Sequence, residues 1–319
     1  GGDLKDLAKR GDWERCQQAA QKQGPEGVEQ YVILHASSLL RGGELEEAVG
    51  VLNTHGTPLG ASNLALYKQL ARDLLGRGRG VSTPEGVWLP GVQSLRQALF
   101  RVWTALKASP GADAGDVREI DRLLHCAHYL CLHAACRSRG GAFSEVAASI
   151  ALSLVRYCDV LPADRVFYEA GQACKEVGKL NQAFVLTNRF IDICELMDDG
   201  EDAALENSDF EGTDVPFDFH LPDTQFLPES QREEVRDWVL TQSMDQKIEP
   251  VLSMRSCSKC SAKVYEASLL CSSCNTRFKP CVVTGMPVGR GRGELSPEEV
   301  FEGFHSGAQF KDYVEFVLK

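Results

Sequence analysis

From Leu4 to Met197 apolar side chains return at three- and four-residue steps, and that period limits this stretch to amphipathic helices with one buried stripe each. Leu95, Leu99, Val102, Trp103 and Leu106 make one such series, and Val146, Ile150, Leu154 and Tyr157 make another. Glycine and proline interrupt the pattern at Gly24-Pro25, Gly42-Gly43, Gly56, Pro58, Pro90-Gly91, Pro110-Gly111, Gly140-Gly141, Pro162 and Gly178. Strand signals are scarce. The economical reading is a mainly α chain of paired antiparallel helices.

Two segments narrow the pairing. Ala36, Gly43 and Ala48 stand at offsets of seven and then five residues, and Gly171, Gly178 and Ala183 repeat those offsets. A small residue where helices cross, glycine at the turn and alanine on the second helix match the tetratricopeptide pattern, because only small side chains permit so close a crossing. The expectation is a tetratricopeptide-like α-solenoid over residues 1–196, with a generic helical bundle as the alternative.

Residues 197–227 change character. Asp198, Asp199, Glu201, Asp202, Glu206, Asp209 and Glu211 come without a basic residue between Met197 and Thr213, followed by Pro216 and Pro222. Such a segment reads as an acidic linker with little regular structure. Its Phe210, Phe217, Phe219 and Phe226 are expected to dock on the protein's own surface or on a partner. Residues 228–319 read as a small α+β module with flanking helices. One helix is expected after Pro228 with Val235, Trp238 and Val239 inward, one after Ser296-Pro-Glu-Glu299, and one over Lys311–Leu318.

The module carries Cys257-Ser-Lys-Cys260 and Cys271-Ser-Ser-Cys274, ten residues apart. Two Cys-x-x-Cys pairs supply four soft thiolates that can close a tetrahedron, which points to one structural Zn2+ held by Cys257, Cys260, Cys271 and Cys274. Lys263–Leu270 between them reads as strand, turn, strand. A redox pair would normally open a helix behind a buried strand, and neither pair has that setting. Seven other cysteines (Cys16, Cys126, Cys131, Cys136, Cys158, Cys174, Cys194) sit in apolar stretches as reduced, buried residues do, so a reducing compartment is expected. His125, His128 and His133, interleaved with Cys126, Cys131 and Cys136, scatter over a helix rather than sharing a face, and read as packing. A net charge of −11 argues against nucleic acid as a partner, and Gly76–Gly80 and Gly289–Gly293 are short Arg-Gly loops. No run approaches a membrane span. No phosphate loop, nucleophile–base pair or carboxylate pair stands out, and a metal with four thiolates has no open position for water. These observations describe a non-catalytic interaction protein.

The run from Cys257 through Cys274, continued by Phe278-Lys-Pro-Cys281-Val-Val-Thr-Gly-Met-Pro-Val288, resembles the C-terminal end of the large peripheral subunit of intraflagellar transport complex B. The resemblance implies propellers and a long solenoid upstream. It also implies a scaffold role in train assembly and ciliogenesis, other subunits of complex B and of complex A as partners, and a place in the cilium or flagellum (axoneme and basal body) with a cytoplasmic pool. The family's terminal module is similar to a U-box, which implies an alternative: ubiquitin binding or ubiquitin-ligase activity, with Pro280, Val282, Val283 and Pro287 contacting ubiquitin or a conjugating enzyme. A RING takes eight ligands for two zincs and here only four lie at ligand spacing, with Cys281 and His305 apart from them. A single-zinc ribbon fits the residues better.

Overall fold

A computed structural model of the chain describes residues 3–77, 85–200 and 205–288. Both expected C-terminal helices, His305 and most of the two Arg-Gly loops lie outside the described residues. The chain divides into two compact units, Gly1–His128 and Tyr129–Lys319.

The regular elements among the described residues of the first unit are all helices: α1 (Leu4–Lys9), α2 (Trp13–Lys22), α3 (Pro25–Gly42), α4 (Leu45–His55), α5 (Ala61–Gly76), α6 (Glu85–Ala108) and the first part of α7 (Ala114–Ser138). Local chemistry sets the boundaries. Asp3 and Asp12 cap α1 and α2 by accepting the N–H of Lys5 and Arg15, and Pro25 opens α3 where its missing N–H costs nothing. Gly43 ends α3 in the left-handed region (φ 77°), so α4 folds straight back along it. Ala36 and Ala48, flanking that turn, are wholly buried, as the spacing predicts. Leu70, Leu74 and Leu75 of α5 and Val92, Leu95 and Leu99 of α6 are buried.

Pro90-Gly91 does not end a helix, contrary to expectation. The chain stays helical through it, with Pro90 inside α6. The lost bond falls near the helix start, and the helix is held before the proline by buried Trp88, which donates its indole N–H to the Leu74 carbonyl (3.0 Å), and after it by buried Val92.

In the second unit α8 (Ser144–Leu154) runs into a 3-10 turn at Val155–Tyr157, and α9 (Ala163–Glu176) and α10 (Leu180–Asp199) form a tight pair. Gly171 is the reason it is tight. A methyl group there would stand 2.5 Å from the Thr187 Oγ1 and 3.3 Å from the Thr187 backbone N. Gly178, φ 76°, makes the turn, and Ala183 is fully buried beyond it.

The start of the acidic stretch, Asp198 and Asp199, belongs to α10; residues 205–227 hold one 3-10 turn, Ser208–Phe210, and are anchored on α9 and α10. Phe210 is buried edge-on to Phe167 (centroids 5.5 Å apart) beneath the Arg189 guanidinium, which donates to the Glu206 carbonyl. Phe226 packs on Tyr168 and gives its backbone N–H to buried Asp164 (2.8 Å). Phe217 stays exposed. Then α11 (Glu229–Ser243) packs on α10 with Val235 buried, while Trp238 and Val239 are half-buried. Arg232 takes the other inner position, paired with Asp198 and Glu229. Arginine can fill a packed position while its head finds carboxylates, a role that hydrophobic periodicity does not reveal.

The sheet is two-stranded and antiparallel, β1 (Met254–Ser256) with β2 (Lys263–Tyr265) in register Arg255↔Val264. The expected hairpin between the cysteine pairs is therefore displaced. Its first strand is real but pairs backwards across Cys257–Cys260, because that tight turn is itself the hairpin connection. Leu270 bridges forward to Arg277 across the second pair in the same manner. Among the described residues no helix is long and apolar enough to cross a membrane.

Candidate metal centre

Each cysteine pair sits on the same backbone turn. The Ser261 N–H donates to the Cys257 carbonyl (2.9 Å) and the Cys257 N–H to the Ala262 carbonyl (2.8 Å); Asn275, Cys271 and Thr276 repeat this at 2.8 and 2.9 Å. Ser261 (φ 61°) and Asn275 (φ 55°) are left-handed, an unusual conformation for side-chain-bearing residues that closes each turn and turns N–H groups toward sulfur. The Lys259 N–H lies 3.4 Å from the Cys257 sulfur.

The two turns meet face to face. Cys257 Sγ is 3.8 Å from Cys274 Sγ, Cys260 Sγ is 3.7 Å from Cys271 Sγ, and all four sulfurs lie within 4.8 Å of one another. A tetrahedron with metal–sulfur bonds of about 2.3 Å has edges of about 3.8 Å, whereas a disulfide needs about 2.05 Å. The donor set and its spacing therefore fit one tetrahedral soft-metal ion, and among the described residues these four make the one such group. Zinc there would cross-link the turns and leave no site for substrate.

Protonation follows the hydrogen bonds. N–H groups of Cys260 and Lys259 hold the Cys257 thiol below its ordinary value, and the Thr276 hydroxyl and N–H pull Cys274 down to about 6. The Ala262 N–H favours thiolate at Cys260, but its contacts with the Cys274, Cys271 and Cys257 sulfurs push it up to about 12. Sulfurs so close share protons until a cation replaces them. Cys257, Cys271 and Val264 form a small core, with Phe278 against it and the Arg255 guanidinium 4.2 Å from the Phe278 ring. That cation would offset part of the charge of four thiolates around a bound metal.

A buried polar network seats this module on helices of its own unit. The Arg156 guanidinium donates to the carbonyls of Gly285 (2.7 Å) and Ala267 (2.6 Å) and stands 3.5 Å from the Asp214 carboxylate, which accepts the Leu269 N–H. The Tyr129 hydroxyl donates to the Cys281 carbonyl (2.8 Å). Gln182, 1% exposed, donates to Glu266 and accepts the Ser253 N–H. Sequence reasoning missed these residues; the available signal was one arginine inside the apolar run Ala151–Tyr157. The four residues expected to face the ubiquitin system lie on this side. Pro280 and Pro287 bridge each other, Val282 is buried, and Val283 is half-buried at the tip.

The seven cysteines expected to be reduced and buried are all buried and outside any disulfide, and burial pushes Cys174 up to about 11 and Cys194 up to about 12. Thiols raised by burial in this way fill space rather than attack. His128 and His133 are buried with them.

No protein-family model matches the chain. It is 39% identical over 288 residues to the intraflagellar transport protein 172 homolog of Rattus norvegicus, a match covering 90% of the chain. It is 37% identical over 284 residues to intraflagellar transport protein 172 of Chlamydomonas reinhardtii, and 30% identical over 284 residues to intraflagellar transport protein osm-1 of Caenorhabditis elegans. The chain spans about 16% of the length of the rat and algal relatives. Identity at this level across animals and an alga makes the chain a homologue of one portion of the intraflagellar transport 172 subunit.

Proposed function

We propose that this chain is a non-catalytic, C-terminal scaffold portion of an intraflagellar transport complex B subunit, held in shape at its end by one structural Zn2+. The similarity along nine-tenths of the chain supports the assignment to transport in the cilium or flagellum. The single observation that carries the structural role is the gathering of four sulfurs within 4.8 Å of one another, two of whose separations, 3.7 and 3.8 Å, suit a tetrahedral zinc that would have no open coordination position. Helix pairs and module then act as recognition surfaces for other subunits of complex B, with complex A as a further partner. The consequence is train assembly and ciliogenesis at the axoneme and basal body, fed from a cytoplasmic pool.

The test replaces Cys271 by Ser in the whole subunit, in a ciliated cell lacking its own copy. Loss of the module's ordered structure together with fewer assembled trains is expected. Trains that assemble normally on a protein without bound zinc would refute the role given to the centre.

A further inference from the structure

The thiol centre uses two turns of the module and leaves a third unexplained. Cys281-Val-Val-Thr284-Gly285 repeats the backbone of the other two step for step. The Cys281 N–H donates to the Met286 carbonyl (2.7 Å), the Gly285 N–H to the Cys281 carbonyl (2.7 Å), and the Val288 N–H to the Lys279 carbonyl (2.9 Å), as the Phe278 N–H does to Leu269 in the second turn. The fifth residue is left-handed in all three, Gly285 at φ 71°.

One atom type differs. In the metal turns the fourth-position sulfur receives the N–H two residues on, Ala262 to Cys260 and Thr276 to Cys274. In the third turn the Met286 N–H lies 3.3 Å from the Thr284 Oγ1. A hydroxyl thus serves as the acceptor, and a neutral hydroxyl is a far poorer zinc ligand than a thiolate. Helical side chains face this turn instead. Tyr129 takes the Cys281 carbonyl and Arg156 takes that of Gly285. A Cβ on Gly285 would stand 2.7 Å from the Ser153 Cβ and 3.1 Å from the Tyr129 Cζ.

We propose that Cys281–Gly285 is a metal-free third knuckle that latches the C-terminal module onto α7, α8 and the Val155–Tyr157 turn, and that the latch holds whether or not the thiol centre is filled. The physical basis is that protein groups hold this turn: a guanidinium and a phenol donate to its carbonyls, and Val282 is buried. The second half of the proposal rests on reading the four cysteines as a metal site.

Hydrogen exchange by mass spectrometry on the whole zinc-loaded chain tests it. In Arg156→Met, residues 279–288 are expected to exchange about ten- to a hundredfold faster, with bound zinc unchanged. Stripping zinc with a chelator is expected to do the converse: residues 254–278 accelerate while 279–288 stay within about twofold. Chelation that loosens both stretches alike, or Arg156→Met that sheds its zinc, overturns the proposal. Should Arg156→Met not fold, Tyr129→Phe removes one hydroxyl; faster exchange at 279–288 supports the latch and unchanged exchange refutes it. If the native chain takes up no zinc, the metal reading fails by itself, and the Arg156 and Tyr129 variants still decide the latch.

Discussion

Gly171→Ala separates the close-crossing argument from simple helix propensity, because the two predict opposite signs. In a helix interior, alanine in place of glycine stabilises by about 0.5–1 kcal/mol. Here the added methyl would meet the Thr187 Oγ1 at 2.5 Å, with the Thr187 backbone N and Cα behind it at 3.3 and 3.5 Å. The hydroxyl is buried without a hydrogen-bond partner and has nowhere to swing, and the backbone can yield only if α10 shifts. Overpacking of this kind costs about 1–3 kcal/mol, so the net expectation is a loss of about 1–2 kcal/mol. Thr187→Ala removes the nearest obstacle and breaks no hydrogen bond. The double variant should therefore recover part of the loss, with a coupling of about 1 kcal/mol. Urea unfolding followed by circular dichroism gives the stabilities, and hydrogen exchange in α9 and α10 assigns the effect to the pair. A Gly171→Ala protein as stable as the parent, or a loss that Thr187→Ala leaves untouched, would show that glycine is not there to let the helices touch.

Cobalt in place of zinc should give the visible spectrum of a tetrahedral thiolate site at about one metal per chain, and a six-coordinate spectrum would contradict the sulfur geometry. Burial holds the His133 imidazole below its ordinary value of about 6.5. The unfolded chain therefore takes up this proton first, and stability falls as pH drops below about 6.5. His133→Gln should flatten the decline between about pH 6.5 and 5, and an identical pH profile would refute the assignment. Arg189→Met leaves the Phe210 anchor uncovered and the Glu206 carbonyl unpaired. It should cost about 1–3 kcal/mol and open residues 205–227 to proteolysis, which unchanged cleavage would contradict. Pro90→Ala restores an N–H to α6 and should stabilise the first unit by about 1–3 kcal/mol; a loss instead would mean the proline shapes that helix.

How much could be read beforehand depended on whether the signal was local. Helix period, the glycine turns at Gly43 and Gly178 and the cysteine spacing are short-range facts, and the architecture follows them. Pro90 misled because the helix bond it forfeits can be offset by burial of Trp88 and Val92 on either side of it. The displaced hairpin had the same origin: Lys263–Tyr265 has strand chemistry, but its partner was decided by the turn through the metal pair. Gln182 and Asp214 were invisible, and Arg156 showed only as a lone charge inside an apolar run. Each is defined by what it meets a long way along the chain, and composition carries no record of that. The third knuckle was half legible, since Cys281-x-x-Thr284-Gly285 keeps the spacing of its neighbours and changes one ligand.

The reach of the Arg156 contacts also bears on the order of events during synthesis. Its two carbonyl partners lie 111 and 129 residues downstream, so the tail finds its seat only through very long-range closure. A ribosome delivers α8, α9 and α10 well before Ala267 and Gly285 emerge. The receiving surface is thus complete when residues 267–285 arrive, and the docking step becomes the capture of a short segment by a finished template rather than a search between two unfolded partners.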